Sequence, residues 1–298
     1  MKRVIVTGAN GFIGSSLIKK LVNKGVEVVA LDISFTSSRL PKTNLITEIE
    51  VELDDSKKIE KAIPTNEYDA FYHFAWAGVN GSAKADPIVQ LKNAEMAINC
   101  ATVAKNINCK KLLCAGTIAE RATESLSNLE KTSGGMMYGV AKHATHLMVE
   151  TFCKYIGLDF VWMQFSNIYG PENKTDNLIS YTIGELEKGN EALFGPALQP
   201  YDFIFVEDLI EAVLRLGENK TSRNSYFIGS GEPRILKDYL LEIGEQYGKK
   251  ELIKVGVRQD DGIKYSIDMF DTSALVNDIG KYTTKTFTEG IKYTLENY

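Results

Sequence analysis

Cysteine is scarce in this chain and placed only for packing. Cys100, Cys109, Cys114 and Cys153 form no C-x-x-C pair, and no histidine cluster with zinc-ligand spacing accompanies them. A structural zinc site is therefore not expected, no metal is assigned, and the cysteines read as reduced, small apolar residues. Long apolar runs are missing too, since none approaches the roughly 20 residues needed to cross a bilayer. Strand-like sequence starts within a few residues of Met1, so no signal peptide is expected and the expected compartment is the cytoplasm. Positive charge is not in excess either. Lys and Arg number 34 against 39 Asp and Glu, a net charge of −5, which argues against nucleic acid or an anionic membrane as partner. An anionic substrate must be met by local basic groups. There is no internal repeat, low-complexity segment or disordered linker, which excludes a solenoid or an extended linker protein.

What remains is an ordinary globular composition, 44% apolar and 24% charged over 298 residues. That length suits one large α/β domain, or a dinucleotide-binding domain with a smaller lobe. Strand-like segments read at Val4 to Thr7, Val26 to Leu31, and about 45–51, 69–74, 111–115 and 159–165. Helical stretches lie between them, at 12–24, 88–107 and 136–156 among others. Strands alternating with helices imply parallel βαβ units with right-handed crossovers, hence a Rossmann-type doubly wound parallel sheet. After Gly170-Pro171 the regularity loosens, with short strands at 202–206 and 225–229. We read 1–166 as the dinucleotide-binding domain and 167–298 as mainly a smaller α/β substrate lobe, the strand near 225–229 returning to the main sheet.

The segment Thr7-Gly8-Ala9-Asn10-Gly11-Phe12-Ile13-Gly14 lies between the first strand and the first helix. Gly8 permits the tight turn, Gly11 lets the backbone approach a pyrophosphate, and Gly14 lets helix and strand pack closely. Backbone N–H groups and the helix dipole would hold the anion. Asp32 closes the second strand, at the distance where an acid binds the adenosine ribose. A carboxylate there favours NAD over NADP. Arg39 follows closely and would weaken that preference if its loop folds back, so NADP stays open.

Tyr138 and Lys142 stand at i and i+4 on one helix face. A phenol with a pKa near about 10 is a poor base at neutral pH, and a nearby lysine cation is expected to bring it down. Ala115-Gly116-Thr117 ends a central strand, at the sheet edge where ligands bind, so the Thr117 hydroxyl can hydrogen-bond a substrate oxygen.

In this order the motifs resemble the extended short-chain dehydrogenase/reductases, and more narrowly the NAD-dependent epimerase/dehydratase family of nucleotide-sugar enzymes. The resemblance covers almost the whole chain. It implies that Thr117, Tyr138 and Lys142 are catalytic, and that Phe74, Ala75 and Trp76 line the cofactor. Asp54 matches the acid near the adenine, and Asn99 a mid-helix asparagine that supports the active site. Asn167 opens the family's N-x-YGP segment, and Tyr201 to Asp208 match its RDF-x-x-V-x-D segment. Arg258 and Asp261 match a late R-x-x-D, the arginine clamping the diphosphate and the acid binding its ribose. The helices at 88–107 and 136–156 resemble those that pair in a homodimer, though cover within the monomer is equally open.

Three departures matter. Arg121-Ala122 stand where the family has Tyr-Gly, and Tyr201 stands where an arginine often meets the diphosphate. Ile118-Ala119 replace the Asp-Glu pair of the sugar dehydratases, so 4,6-dehydration is not expected. Glu120 reads either as a lone acid or base or as a solvated or structural glutamate. His73 is expected at a strand end, and His143 and His146 in polar contacts on a helix surface. The implied function is redox at C4 of a nucleoside-diphosphate sugar, preferentially by a 4-epimerase that keeps its NAD. The alternatives are a 4-ketoreductase of the 4-keto-6-deoxy sugar type and a non-catalytic NAD(P) sensor.

Overall fold

Short apolar runs such as Val4-Ile5-Val6 and Phe71-Tyr72 are buried on both faces, the pattern of strands inside a parallel sheet rather than at its surface. The computed structural model describes residues 1–128, 133–173, 175, 177–260 and 265–297. Its first six strands are β1 (Arg3–Thr7), β2 (Glu27–Asp32), β3 (Ile46–Glu50), β4 (Ala70–His73), β5 (Lys111–Thr117) and β6 (Asp159–Phe165). With the strand Ser225–Ile228 they form one seven-stranded sheet in the order β3-β2-β1-β4-β5-β6 and then Ser225–Ile228. Every pairing in it is parallel. The order reverses between β1 and β4, and the crevice beyond their carboxyl ends is where such sheets bind ligands.

Side chains alternate across the sheet, so neighbouring residues enter different cores. Val4 and Val6 pack with Leu17, Ile18 and Leu21 of α1 (Phe12–Asn23) on one face. Ile5 points to the other face, towards Ile59 of α2 (Ser56–Ala62) and Ala97, Cys100 and Ala101 of α3 (Pro87–Asn106). Val149 and Cys153 of α4 (Met136–Ile156) complete that side. The helix ends carry local signals. Asp86 accepts hydrogen bonds from the N–H groups of Ile88 and Val89, with Pro87 at the first helical position of α3. Gly157 closes α4 in the left-handed conformation at φ 66°.

The main core takes in more of the C-terminal half than the returning strand. Leu209, Ile210 and Val213 of the helix Val206–Glu218 join it, as do Leu275 and Tyr282. A separate cluster forms around Ile183, Phe203, Tyr239, Ile243 and Ile291. A short parallel pair, Asn167–Tyr169 with Phe203–Phe205, carries the chain from the sheet into that lobe. All four cysteines are buried and free. Among the described residues no helix is long and apolar enough to cross a membrane, and no group of three or more His, Cys, Asp or Glu is placed to hold a metal ion.

Candidate active site

Beyond the carboxyl ends of the strands lies a cleft of about 2230 Å³. Small-molecule pockets usually run to roughly 300–1,000 Å³, so this cleft is larger than one such site requires. The structure brings Gly8, Asn10, Gly11, Phe12, Ile13, Gly14, Asp32, Asp54, Phe74, Ala75 and Trp76 to its wall, with Thr117, Tyr138, Asn167, Tyr201 and Arg258. These positions come from all along the sequence and meet only through the fold.

One end is built from main chain. Gly8 has φ +64°, and a Cβ on it would lie 2.8 Å from the Ala75 nitrogen. A Cβ on Gly14 would lie 2.1 Å from the Gly8 carbonyl oxygen, so α1 can pack this closely only on glycine. Thr7 ties the loop to the neighbouring strand end, its hydroxyl 2.8 Å from His73 Nδ1 and accepting from the Ala75 N–H at 3.4 Å. Helix α1 has Gly11 as its N-cap, no side-chain cap and no acidic residue in its first turn. Its first N–H groups and positive dipole end therefore face the cleft with no carboxylate competing for them. That donor set fits the pyrophosphate of a dinucleotide.

Asp32 stands beside this loop and accepts from the N–H groups of Asn10 and Ile33, both at 2.8 Å. Further lone pairs of a carboxylate remain for a ribose hydroxyl. The Asn10 side chain organises the loop beyond β2, donating to the Ser34 carbonyl at 3.1 Å and accepting from the Arg39 N–H at 2.8 Å. The Arg39 guanidinium donates to the Glu172 carbonyl at 2.9 Å.

The other end is built from side chains. Gly139 lets α4 lie tight over the turn after β5, since a Cβ there would come within 2.8 Å of the Ala119 carbonyl oxygen. This approach sets Tyr138 beside Thr117, and both line the cleft. Burial holds the Tyr138 phenol well above its ordinary pKa; the neighbouring Thr117 hydroxyl works against that shift, and the Glu120 charge adds to it. Lys142 does not lower it, contrary to expectation. The Lys142 ammonium is buried, donates to the Ala115 carbonyl at 2.6 Å and lies 3.6 Å from the centroid of the Trp76 ring. It is 6.0 Å from the Tyr138 ring and does not line the cleft. Burial brings the Lys142 pKa down to about 7, with the nearby Glu120 carboxylate opposing the change. The i and i+4 spacing placed the pair on one face, but Trp76 screens the lysine from the ligand space.

Asn99 also differs from expectation. Its amide donates to the Leu53 carbonyl at 3.0 Å, one layer behind the cleft wall. Fully buried Asn93, nearly two turns earlier, bridges both polar groups of the Ala77 backbone, accepting from its N–H at 2.7 Å and donating to its carbonyl at 2.9 Å. Gln90 works beside it, accepting from the Trp76 indole N–H at 2.9 Å and donating to the Gly78 carbonyl at 2.9 Å. Two polar residues on the otherwise small, apolar buried face of α3 were the available signal. Lys84 was missed as well: its ammonium stands 5.4 Å over the Tyr138 ring.

In the second lobe, Tyr201 donates to Asn167 Oδ1 at 2.9 Å. Arg258 donates to the Tyr181 hydroxyl at 2.9 Å and faces that ring. Asp261 lies outside the described residues. His73 is buried at a strand end, as expected, with its pKa pushed down by burial to about 3. His146 is not on the surface but stacks on Trp162, ring centroids 4.9 Å apart.

The model of the NAD dependent epimerase/dehydratase family matches residues 4–229, and the chain belongs to that family. It is 25% identical over 228 residues to UDP-glucuronic acid decarboxylase 1 of Arabidopsis thaliana, covering 73% of this chain and 52% of that protein. The chain thus spans about half the length of that relative. A probable UDP-glucuronate 4-epimerase of Rhizobium meliloti (strain 1021) is 24% identical over 239 residues, covering 72% of this chain and 67% of that one. Among solved structures, a UDP-glucose 4-epimerase of Thermotoga maritima with UDP-glucose superposes with a TM-score of 0.81 at 21% identity, covering 99% of this chain and 97% of the other. The fold is that of the extended short-chain dehydrogenase/reductases. The class is therefore that of the NAD dependent epimerases and dehydratases.

Proposed function

We propose that this protein carries out reversible redox at C4 of a nucleoside-diphosphate sugar, as a 4-epimerase that retains NAD. The observation that carries the reading is that Thr117 and Tyr138 stand side by side in the wall of the same cleft as the uncapped helix end of the glycine loop. Thr117 orients the C4 oxygen and Tyr138 exchanges its proton. Lys142, one turn along α4 from Tyr138, would hold the nicotinamide ribose and supply positive charge to the phenol. Gly11, Ile13 and Asp32 hold the dinucleotide, which when bound accepts and returns the C4 hydride. Asn167, Tyr201 and Arg258 hold the sugar nucleotide, with Asp261 on its ribose. The diversion of Arg39 to Glu172 supports NAD over NADP.

The names of the relatives fit one chemistry. A ketone at C4 of a uronic acid is a β-keto acid, so decarboxylation and epimerisation can both begin with oxidation by the same tyrosine. With Ile118-Ala119 after Thr117 there is no acid and base pair for dehydration. The reading includes a homodimer, supported by exposed Ile88 and Leu91 on α3 and Leu147 and Met148 on α4; sedimentation tests it.

The deciding experiment denatures the purified protein, identifies the nucleotide released, and then assays interconversion of sugar-nucleotide pairs without added cofactor. Near-stoichiometric NAD with interconversion supports the epimerase. An empty protein that consumes NADPH or NADH on 4-keto sugar nucleotides replaces it with the ketoreductase. No binding of either dinucleotide sinks both.

A further inference from the structure

One turn beyond Thr117 lies a carboxylate with no access to solvent. Glu120 is 0% exposed, and it does not line the cleft, so it cannot serve as an acid or base on a bound sugar. Burying an ionised carboxylate is costly unless hydrogen bonds replace its water. Here they do. Oε1 accepts from the Thr117 backbone N–H at 2.7 Å and from the Trp162 indole at 3.1 Å. Oε2 accepts from the same indole at 3.0 Å and from Gln164 Nε2 at 3.1 Å. His146 Nδ1 lies 3.4 Å from Oε2, with its ring flat on Trp162. Its Nε2 sits 3.3 Å from Glu150 but makes no hydrogen bond.

The strand is shaped around this cluster. A Cβ on Gly116 would lie 2.2 Å from Trp162 Nε1 and 2.6 Å from Glu120 Oε1, so Gly116 is the residue that admits the carboxylate beneath the strand end. The network also reaches outward. Gln164 Oε1 accepts from Arg121 Nε at 2.9 Å, and Arg121 donates on to the Met269 carbonyl at 2.5 Å.

We propose that Glu120 is a positioning residue: its buried carboxylate, held by Trp162 and Gln164, pins the main chain at Thr117 and so aims the hydroxyl that meets Tyr138 and the sugar oxygen. This rests on the redox reading given above. Its charge also faces the other titrating groups of the site. Tyr138, Lys142 and His146 approach it from α4, and Arg121 flanks it on its own segment. The carboxylate raises the pKa of both Tyr138 and Lys142.

The test compares wild type, Glu120→Gln and Glu120→Ala for NAD binding, KM, kcat and the pH dependence of kcat. A displacement of about 1 Å at the reacting groups costs on the order of 10²-fold in rate. We expect kcat to fall by about that factor while NAD affinity and KM stay near wild type. In Glu120→Gln the profile also moves to lower pH, because both groups lose a charge that raises their pKa. Gln164→Leu, which removes the amide donor to Glu120 Oε2 and leaves Trp162 in place, is a milder change and should lower kcat by a smaller factor. Unchanged kcat in all three variants overturns the proposal, as does a loss of NAD binding that parallels the loss of kcat. If wild type turns over no nucleotide sugar, the redox reading fails separately. A crystal structure of Glu120→Ala then decides the positioning role: Thr117 displaced supports it, Thr117 in place overturns it.

Discussion

At the nucleotide end of the cleft, the groups that meet a ligand are main-chain N–H groups set by Gly8, Gly11 and Gly14, all within one turn and the start of one helix. At the reactive end they are side chains from β5, α4 and the segment after β4, backed by buried charges. Backbone donors cost little to present, because their geometry follows from a local turn and they carry no titrating charge. Side chains such as Tyr138 and Lys142 lose water on burial, and their pKa values then depend on every neighbour. The first end, Asp32 apart, presents groups that do not titrate. The second is chemically capable and exposed to small shifts in packing.

Several substitutions separate the two ends. Tyr138→Phe should have the largest effect, lowering kcat on the order of 10²–10⁴-fold, the usual contribution of a positioned acid-base group. NAD affinity by calorimetry should stay near wild type. If turnover survives, proton transfer at the reactive end is assigned to the wrong group. Gly14→Ala strikes the other end. Its Cβ would meet the Gly8 carbonyl at 2.1 Å, so the loop must shift and NAD affinity should fall by about tenfold or more, a loss of about 1.4 kcal/mol. Retained affinity would show that the loop tolerates what its packing forbids.

Lys142→Met sharpens the contrast through pH. Burial depresses the Lys142 pKa to about 7 in the folded state, whereas the unfolded chain holds an ordinary lysine. Below pH 7 both states are protonated and the cost of the buried charge is complete. It fades as pH rises towards about 10, where the unfolded state also loses its proton. The methionine variant should therefore gain most in Tm at about pH 6 and least near about pH 10, while losing turnover. A gain independent of pH would locate the effect in packing instead.

A smaller effect distinguishes two asparagines on α3. Asn93→Ala leaves the Ala77 N–H without its acceptor and should cost about 1–3 kcal/mol in chemical denaturation. Asn99→Ala removes one bond to a carbonyl that has a second lone pair, and should cost about 1 kcal/mol or less. Equal losses would restore Asn99 as a support of the site. Smallest of all, Arg39→Ala should leave the NADH to NADPH affinity ratio within about twofold, because the guanidinium is engaged with the Glu172 carbonyl and must give up that bond to meet a 2′-phosphate.

Much of this was legible beforehand. The periodicity of Val4 to Thr7, Val26 to Asp32 and Asp159 to Phe165 gave strands within a residue or two of those observed. The boundaries of α3 and α4 were equally close, because Asp86-Pro87 and Gly157 mark them locally. The glycine loop, Asp32, Thr117 and Tyr138 were readable because each is tied to a strand end or a helix face. Asn99 was misplaced because a motif position in a helix says nothing about which turn meets the preceding loop. His146 read as a surface residue because its partner Trp162 lies 16 positions on, in another element.

The sequence by itself determined the parallel sheet, the glycine-rich turn into the first helix and the strand-end and helix positions of the residues that line the cleft, since these depend on periodicity and on contacts a few residues apart. Only the tertiary structure decided how those groups are tuned. It buried Lys142 under Trp76 and placed a desolvated Glu120 behind Thr117. It also tied the Arg39 guanidinium to the Glu172 carbonyl. Each outcome depends on distance and dielectric between segments far apart in the chain, and a linear pattern carries neither.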